Sequence, residues 1–150
     1  MAATPLVGAW RLVAMEYRHA DGRVRYPYGR DATGYIIYTA GGRMSATLMG
    51  GDRARFDTEY RRGEGGAAKA AAFESYLSYT GRYEFLGDRV VHHVEVALIP
   101  DWVGNTLVRL AAFEGDRLIL STEPDGEGRV TVITWERVAD APNVEVRDRV

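Results

Sequence analysis

Two adjacent histidines, His92 and His93, stand in the valine-rich run VVHHVEVAL, with Glu95 two residues further on. Histidine titrates near neutrality, so either imidazole could act as a general acid or base, or orient a ligand. Neighbouring side chains on a strand project to opposite faces, so the two rings occupy different environments. One face carries Val90, His92, Val94, Val96 and Leu98; the other carries Val91, His93, Glu95 and Ala97. Turning the aliphatic face inward buries His92 and leaves His93 with Glu95 outside. The opposite choice sends His93 and Glu95 inward as a same-face pair, in which a carboxylate orients an imidazole. His92, His93 and Glu95 are therefore the candidate acid/base groups. Each histidine also has a plainer reading, His92 as a hydrogen-bonded core residue and His93 as a solvated one. Adjacent strand histidines diverge and His19 lies far along the chain, so no metal site is expected.

Five further residues are candidates for touching a ligand. Tyr79 and Tyr83 share the apolar face of YTGRYEF with Gly81 and Phe85. Tyr35 and Tyr38 lie on opposite faces of their strand, so at most one lines an interior, and Tyr38 is the candidate. Trp102, in the loop PDWVG, either packs against the end of the fold or meets a ligand. Arg109 is flanked by apolar residues in LVRLAAF. Pointing outward it is solvated; pointing inward it would anchor a carboxylate or enolate. The sequence has no Gly-x-Gly-x-x-Gly after a strand, no phosphate loop and no Gly-x-Ser-x-Gly elbow. Any catalysis would then run without a cofactor, as proton transfer, cyclisation, isomerisation or dehydration in a shaped pocket.

The elements that must position these residues are strands. Turn signals recur at short spacing, among them Asp21-Gly22, Gly41-Gly42, Gly87-Asp88, Gly115-Asp116 and Asp125-Gly126. The β-rich runs between them predict antiparallel strands over 8–18, 23–28, 34–40, 43–49, 77–85, 89–98, 106–114, 117–122 and 129–138. Exposed sheet edges are a liability, and consecutive hairpins favour closure into an up-and-down barrel of eight or nine strands. Strand parity turns Trp10, Leu12 and Ala14 to one face, opposes Met44, Ala46 and Leu48 to Arg43, Ser45 and Thr47, and faces Leu118 and Leu120 inward. Residues 52–76 break the strand period. They read as a mobile charged stretch followed by one short helix, about 67–76, before the fifth strand; the alanine-rich AAKAAAFES supports it. That helix could cover a barrel mouth or pack outside it. Residues 140–150 read as a loose tail.

Composition fits an ordinary soluble domain. The 150 residues, 46% apolar and 27% charged, make one domain large enough to enclose a pocket. A net charge of −2 with scattered arginines gives no footprint for nucleic acid. There is no cysteine, hence no disulfide and no thiolate chemistry. The N-terminus lacks a signal-peptide pattern and no apolar run reaches membrane-spanning length. A cytoplasmic protein, monomeric or weakly homodimeric, is the expectation.

The opening strand begins Val7-Gly8-Ala9-Trp10-Arg11, which resembles the Gly-x-Trp element of lipocalins. VGAWRLV, YPYGRDATGYIIYTAGGRMSA, YLSYTGRYE, VVHHVEVALIPDWVG and TWER together resemble the lipocalin-like domain family of short bacterial and fungal proteins, over about residues 6–138. The resemblance implies a calycin-type barrel with a cavity, in a family with members in natural-product pathways. It also implies that Arg137 packs on Trp10 and closes the barrel floor. The expected function is holding a small hydrophobic or amphipathic molecule, with a cofactor-free cyclase, isomerase or dehydratase as the alternative. A third possibility is an interaction module with a filled core.

Overall fold

The computed structural model describes residues 4–56 and 65–139. Strands β1 (Gly8–Arg18), β2 (Val24–Arg25), β3 (Thr33–Tyr38) and β4 (Arg43–Met49) precede helix α1 (Gly66–Glu74). Strands β5 (Tyr76–Phe85), β6 (Arg89–Ala97), β7 (Thr106–Glu114), β8 (Arg117–Ser121) and β9 (Val130–Arg137) follow, with a 3-10 turn at Pro100–Trp102. All pairings are antiparallel and run in chain order from β3 to β9. One edge of β1 pairs with β3 and the other with β9, so eight strands close into a barrel and β2 adds to the far end of β1. The all-β, up-and-down barrel expected from the turn spacing is the observed fold.

Closure removes the exposed edges, and the interior then has to be filled from every strand. Trp10, Ile36, Tyr38, Met44, Val90, Leu118, Leu120 and Trp135 are buried around the axis. At one end the barrel is plugged. The Arg137 guanidinium lies 4.1 Å from the Trp10 ring centroid, in direct register with it across the β1–β9 ladder. It also donates to the carbonyls of Pro5, at 2.6 Å, and Val7, at 2.9 Å. The Trp10 indole N–H donates to the Leu6 carbonyl at 2.9 Å, which folds the buried Leu6 under the floor. Gly8 is needed between them: its φ is 131°, and a Cβ there would meet Arg137 Nη1 at 2.8 Å. The Gly-x-Trp spacing thus has a local physical reason.

Strict alternation fails at two β-bulges. In β1 the register with β9 skips Val13, pairing Leu12 with Trp135 and Ala14 with Thr134. Each extra residue reverses the facing of everything beyond it. Met15 and Tyr17, rather than Ala14, therefore continue the inner face begun by Trp10 and Leu12. In β6 the register with β5 skips Glu95. Val96, expected inside with His92, is 65% exposed, and Ala97 packs against the core in its place.

Local signals also shift two boundaries. The second strand is only Val24–Arg25, because Tyr26 to Gly29 form a turn closed by the Gly29 N–H on the Tyr26 carbonyl at 3.0 Å. Helix α1 starts one residue early and ends at Glu74, so that Tyr76 can begin β5. The helix buries none of its residues. Arg53 holds its end, bonding Ser75 Oγ at 3.0 Å and the Ala72 carbonyl at 3.1 Å. Residues 57–64 of the anticipated charged stretch and 140–150 of the anticipated tail lie outside the described residues.

The floor plug has a measurable energy. A partly solvated cation–π contact and two charge-assisted hydrogen bonds predict that Arg137→Ala costs about 1–3 kcal/mol in urea unfolding. Arg137→Lys, lacking the fork, should fall between. A loss below about 0.5 kcal/mol, the size of an ordinary surface substitution, would show that the plug is not closing the floor.

Candidate functional site

His92, on β6 beside β5, is completely buried. Burial of an unpartnered imidazole is costly, and here both ring nitrogens are satisfied. The Tyr38 hydroxyl from β3 lies 2.7 Å from Nε2, and the Tyr79 hydroxyl from β5 lies 2.9 Å from Nδ1. Burial, reinforced by the charge of Arg109 and by His93, pushes the His92 pKa down to about 3. The ring is therefore neutral at physiological pH and carries one N–H donor and one acceptor nitrogen. Burial raises both tyrosines, Tyr38 well above its ordinary value and Tyr79 to about 12. Both phenols keep their protons.

Hydrogen-bond satisfaction assigns the tautomer. Tyr38 is shut in the core, and His92 is its hydrogen-bond partner. Its O–H must donate to Nε2, because otherwise a buried hydroxyl proton would have no acceptor. Nδ1–H then donates to the Tyr79 oxygen. The Tyr79 proton is left over, and Tyr79 lines a cavity.

That cavity has a volume of about 170 Å³ and lies away from the floor plug. Aliphatic and aromatic groups make most of its wall, with Met15, Leu48, Leu77 and Ile133 alongside Ala46. Its polar groups are Tyr17, Tyr79, Trp102, Arg109, Thr131 and Trp135. Trp102, carried by the 3-10 turn, stands edge-on to Tyr79 at 5.8 Å and 78°. Arg109 faces inward from β7, and its charge is felt at Tyr38, Tyr79 and His92. The Trp135 indole is 1% exposed, and its N–H meets no acceptor among the described residues.

The residues anticipated from the sequence divide into two groups. His92, Tyr38, Tyr79, Trp102 and Arg109 come together at or just behind the cavity. Tyr83 sits deeper, edge-on to Tyr38 at 4.8 Å, with its hydroxyl donating to the Thr39 carbonyl at 2.7 Å. Its hydroxyl is spent on the β3–β4 turn. His93 and Glu95 face outward and do not pair with each other. His93 Nε2 lies 2.8 Å from the Glu84 carboxylate on the neighbouring strand. Glu95, on the bulge, takes Arg43 at 3.2 Å and Arg82 at 3.1 Å. The inward His93–Glu95 dyad is therefore not formed, because with Val90, His92 and Val94 inside, parity keeps both His93 and Glu95 outside.

Met15, Tyr17, Thr131, Ile133 and Trp135 were not anticipated as cavity residues. One sequence signal marks the first pair: the charged residues of β1 change phase, from Arg11 before Val13 to Glu16 and Arg18 after it. Thr131, Ile133 and Trp135 simply alternate along VTVITWER, where the opposite face is equally apolar and hides the parity. Among the described residues no group of three His, Asp or Glu gathers as a metal set. No described helix is long and apolar enough to cross a membrane.

A family model described as a lipocalin-like domain matches residues 7–138. The chain belongs to the lipocalin-like domain family. A relative of this lipocalin-like chain, the 4'-hydroxy-3'-methoxypropiophenone carrier protein of Aspergillus oryzae, is 35% identical over 81 residues. That match covers 46% of this chain and 73% of the relative. Among solved structures, a lipocalin-like protein from Bacteroides uniformis aligns at 15% identity with a TM-score of 0.47, covering 89% of this chain and 98% of its own. An uncharacterized protein from Bacteroides eggerthii aligns at 14% identity and 0.46, covering 87% and 98%.

The buried imidazole makes stability depend on acid. Folded His92 stays unprotonated down to about pH 3, whereas its unfolded form takes a proton near 6.5. Between these values the unfolded state binds more protons, so stability is complete above the upper one and is lost as pH falls. The slope should approach about 1.4 kcal/mol per pH unit. His92→Gln keeps hydrogen-bonding capacity without titrating, and should flatten urea midpoints between neutrality and about pH 4.5. Equal slopes in both proteins would place the acid sensitivity elsewhere.

Proposed function

We propose that this lipocalin-like barrel binds and carries a small, mostly apolar molecule of about one ring in the cavity lined by Tyr79, Trp102 and Arg109. The observation that carries the reading is the wall itself: apolar and aromatic surface with a few polar residues, among them Trp135, whose indole N–H has no acceptor among the described residues. Such a mixture suits a ligand that is buried by its body and oriented by one or two atoms. Size agrees. An apolar cavity of about 150 Å³ takes a benzene-sized molecule, and the present one is about 170 Å³. The relative from Aspergillus oryzae is named for carrying a one-ring hydroxyaryl ketone, 4'-hydroxy-3'-methoxypropiophenone, which supports the same class here and a place in natural-product metabolism.

A second reading has one observation in its favour. The Tyr79 hydroxyl, backed by neutral His92, is a group that could deliver a proton to a molecule in the cavity. Cofactor-independent cyclisation, isomerisation or dehydration needs little more than that and a fixed substrate pose. Carriage is preferred because His92 reaches the cavity through Tyr79 and, held neutral by burial, is a weak base.

Titration with 4'-hydroxy-3'-methoxypropiophenone should quench tryptophan fluorescence saturably, since Trp102 and Trp135 both line the cavity, and should raise the melting temperature. Ala46→Phe places a ring in the cavity and should weaken binding by about tenfold or more with the fold intact by circular dichroism. Undiminished binding by that variant would put the ligand elsewhere. Mass spectrometry of the recovered compound separates the two readings. Unchanged mass and elution mean carriage; an isomer or a product lighter by one water means catalysis, which Tyr79→Phe should then abolish.

A further inference from the structure

The polar groups of the cavity share one property. Tyr17, Tyr79, Trp102, Arg109, Thr131 and Trp135 can all donate hydrogen bonds, and no carboxylate is among the lining residues. Several arginines on the outer surface pair with acids: Arg43 and Arg82 with Glu95, Arg129 with Asp125. Arg109 has no carboxylate partner among the described residues, and its side chain donates to the carbonyl of its own neighbour Val108, at 3.0 Å. A guanidinium carries five N–H donors, so one bond to a carbonyl leaves most of its donor capacity open to a ligand. Two more donors belong to lining residues. The Trp135 N–H is buried with no acceptor among the described residues, and the Tyr79 proton is the one that the tautomer of His92 leaves over.

We infer that the cavity takes its ligand as an oxyanion, a phenolate, enolate or carboxylate on a one-ring body, with the charged oxygen seated among Arg109, the Trp135 N–H and the Tyr79 O–H. The three groups come from β7, β9 and β5, so they approach from different sides of the barrel. A neutral carbonyl, with two lone pairs, would accept from two donors but leave the charge of the cation facing an apolar wall uncompensated. An anion answers both needs, and in a site of low dielectric that preference is strong. The inference rests on the ligand-binding reading above and specifies the charge state that this site selects.

Two matched pairs of probes test it on the intact chain. The first is the hydroxyl-bearing propiophenone and its methyl ether; the second is para-anisate and its methyl ester. Each anion-forming member should bind at least about tenfold tighter than its neutral partner, and the bound phenol should show the phenolate absorption at least about one pH unit below its free midpoint. Arg109→Leu should collapse the preference towards unity, and Arg109→Lys, which keeps the charge but not the fork, should retain part of it. Binding of neutral and ionisable partners with equal affinity, or a bound phenol with the neutral spectrum, would overturn the inference and leave the carrier reading standing. Failure of all four compounds to bind would remove the carrier reading and the inference together.

Discussion

A histidine at the centre of a barrel this small can be kept only if both ring nitrogens are answered, and that requirement organises much of the interior. Tyr38 and Tyr79 provide the answer from β3 and β5, two strands that are not paired with each other in the sheet. The bridge therefore ties three strands across the interior, beyond what the backbone ladder fixes. Further links lengthen it. Tyr83 stands edge-on to Tyr38 and anchors to the β3–β4 turn, while Trp102 stands edge-on to Tyr79 at the other end. Aromatic pairs of this geometry add about 0.5–1.5 kcal/mol each beyond area burial. The polar chain is satisfied along its buried part and ends in a proton at the cavity. Structural demand and the proposed ligand recognition meet in one residue, Tyr79.

The two bulges are the second organising constraint. A closed sheet must bend sharply, and an extra residue bends and twists the strand that carries it. Here each bulge also changes which side chains look inward, supplying Met15 and Tyr17 from β1 and Ala97 from β6. The β6 bulge has a glycine as its counterpart. A Cβ at Gly81 would collide with the His93 carbonyl, so the close approach of β5 and β6 beside Glu95 exists because position 81 has no side chain. Glycine and bulge form one device on two strands.

The two halves of the interior consequently differ. Towards the plugged end, Trp10, Arg137 and Leu6 fill the space and close the floor. Beyond the tyrosine–histidine bridge the packing opens into the cavity, where Arg109 and the Trp135 N–H wait among apolar groups. The barrel fold alone would fit carriage, catalysis or neither. The carriage proposed above rests on the chemistry of these few groups: a donor-lined pocket next to a weakly basic, neutral imidazole suits holding an acceptor more than removing a proton.

Much of this architecture was legible in the sequence, because turn residues and strand alternation are local signals. The hairpin-connected strands and the helix before β5 follow from turn residues and composition. The inward set Met44, Ala46, Leu48, Leu118 and Leu120 follows from parity, which separated His92 from His93 but left open which of them faces inward. The Arg137–Trp10 plug was implied by the resemblance of the Gly-x-Trp element and now has its geometry. Other features belong to the tertiary structure. A bulge is decided by how two strands meet, so Val96 turned outward and Met15 inward against simple alternation. The partners of His93 and Glu95 depended on cross-strand register, which brought Glu84 to one and two arginines to the other. Arg109 looked equally able to face either way, because its neighbours in sequence are apolar on both sides. Closure of the barrel chose the inner face for it, and chose Tyr38 and Tyr79, 41 positions apart in the numbering of one chain, as the two hands that hold His92. Residue types fixed what chemistry was available; the register of distant strands decided which of those groups would share a cavity.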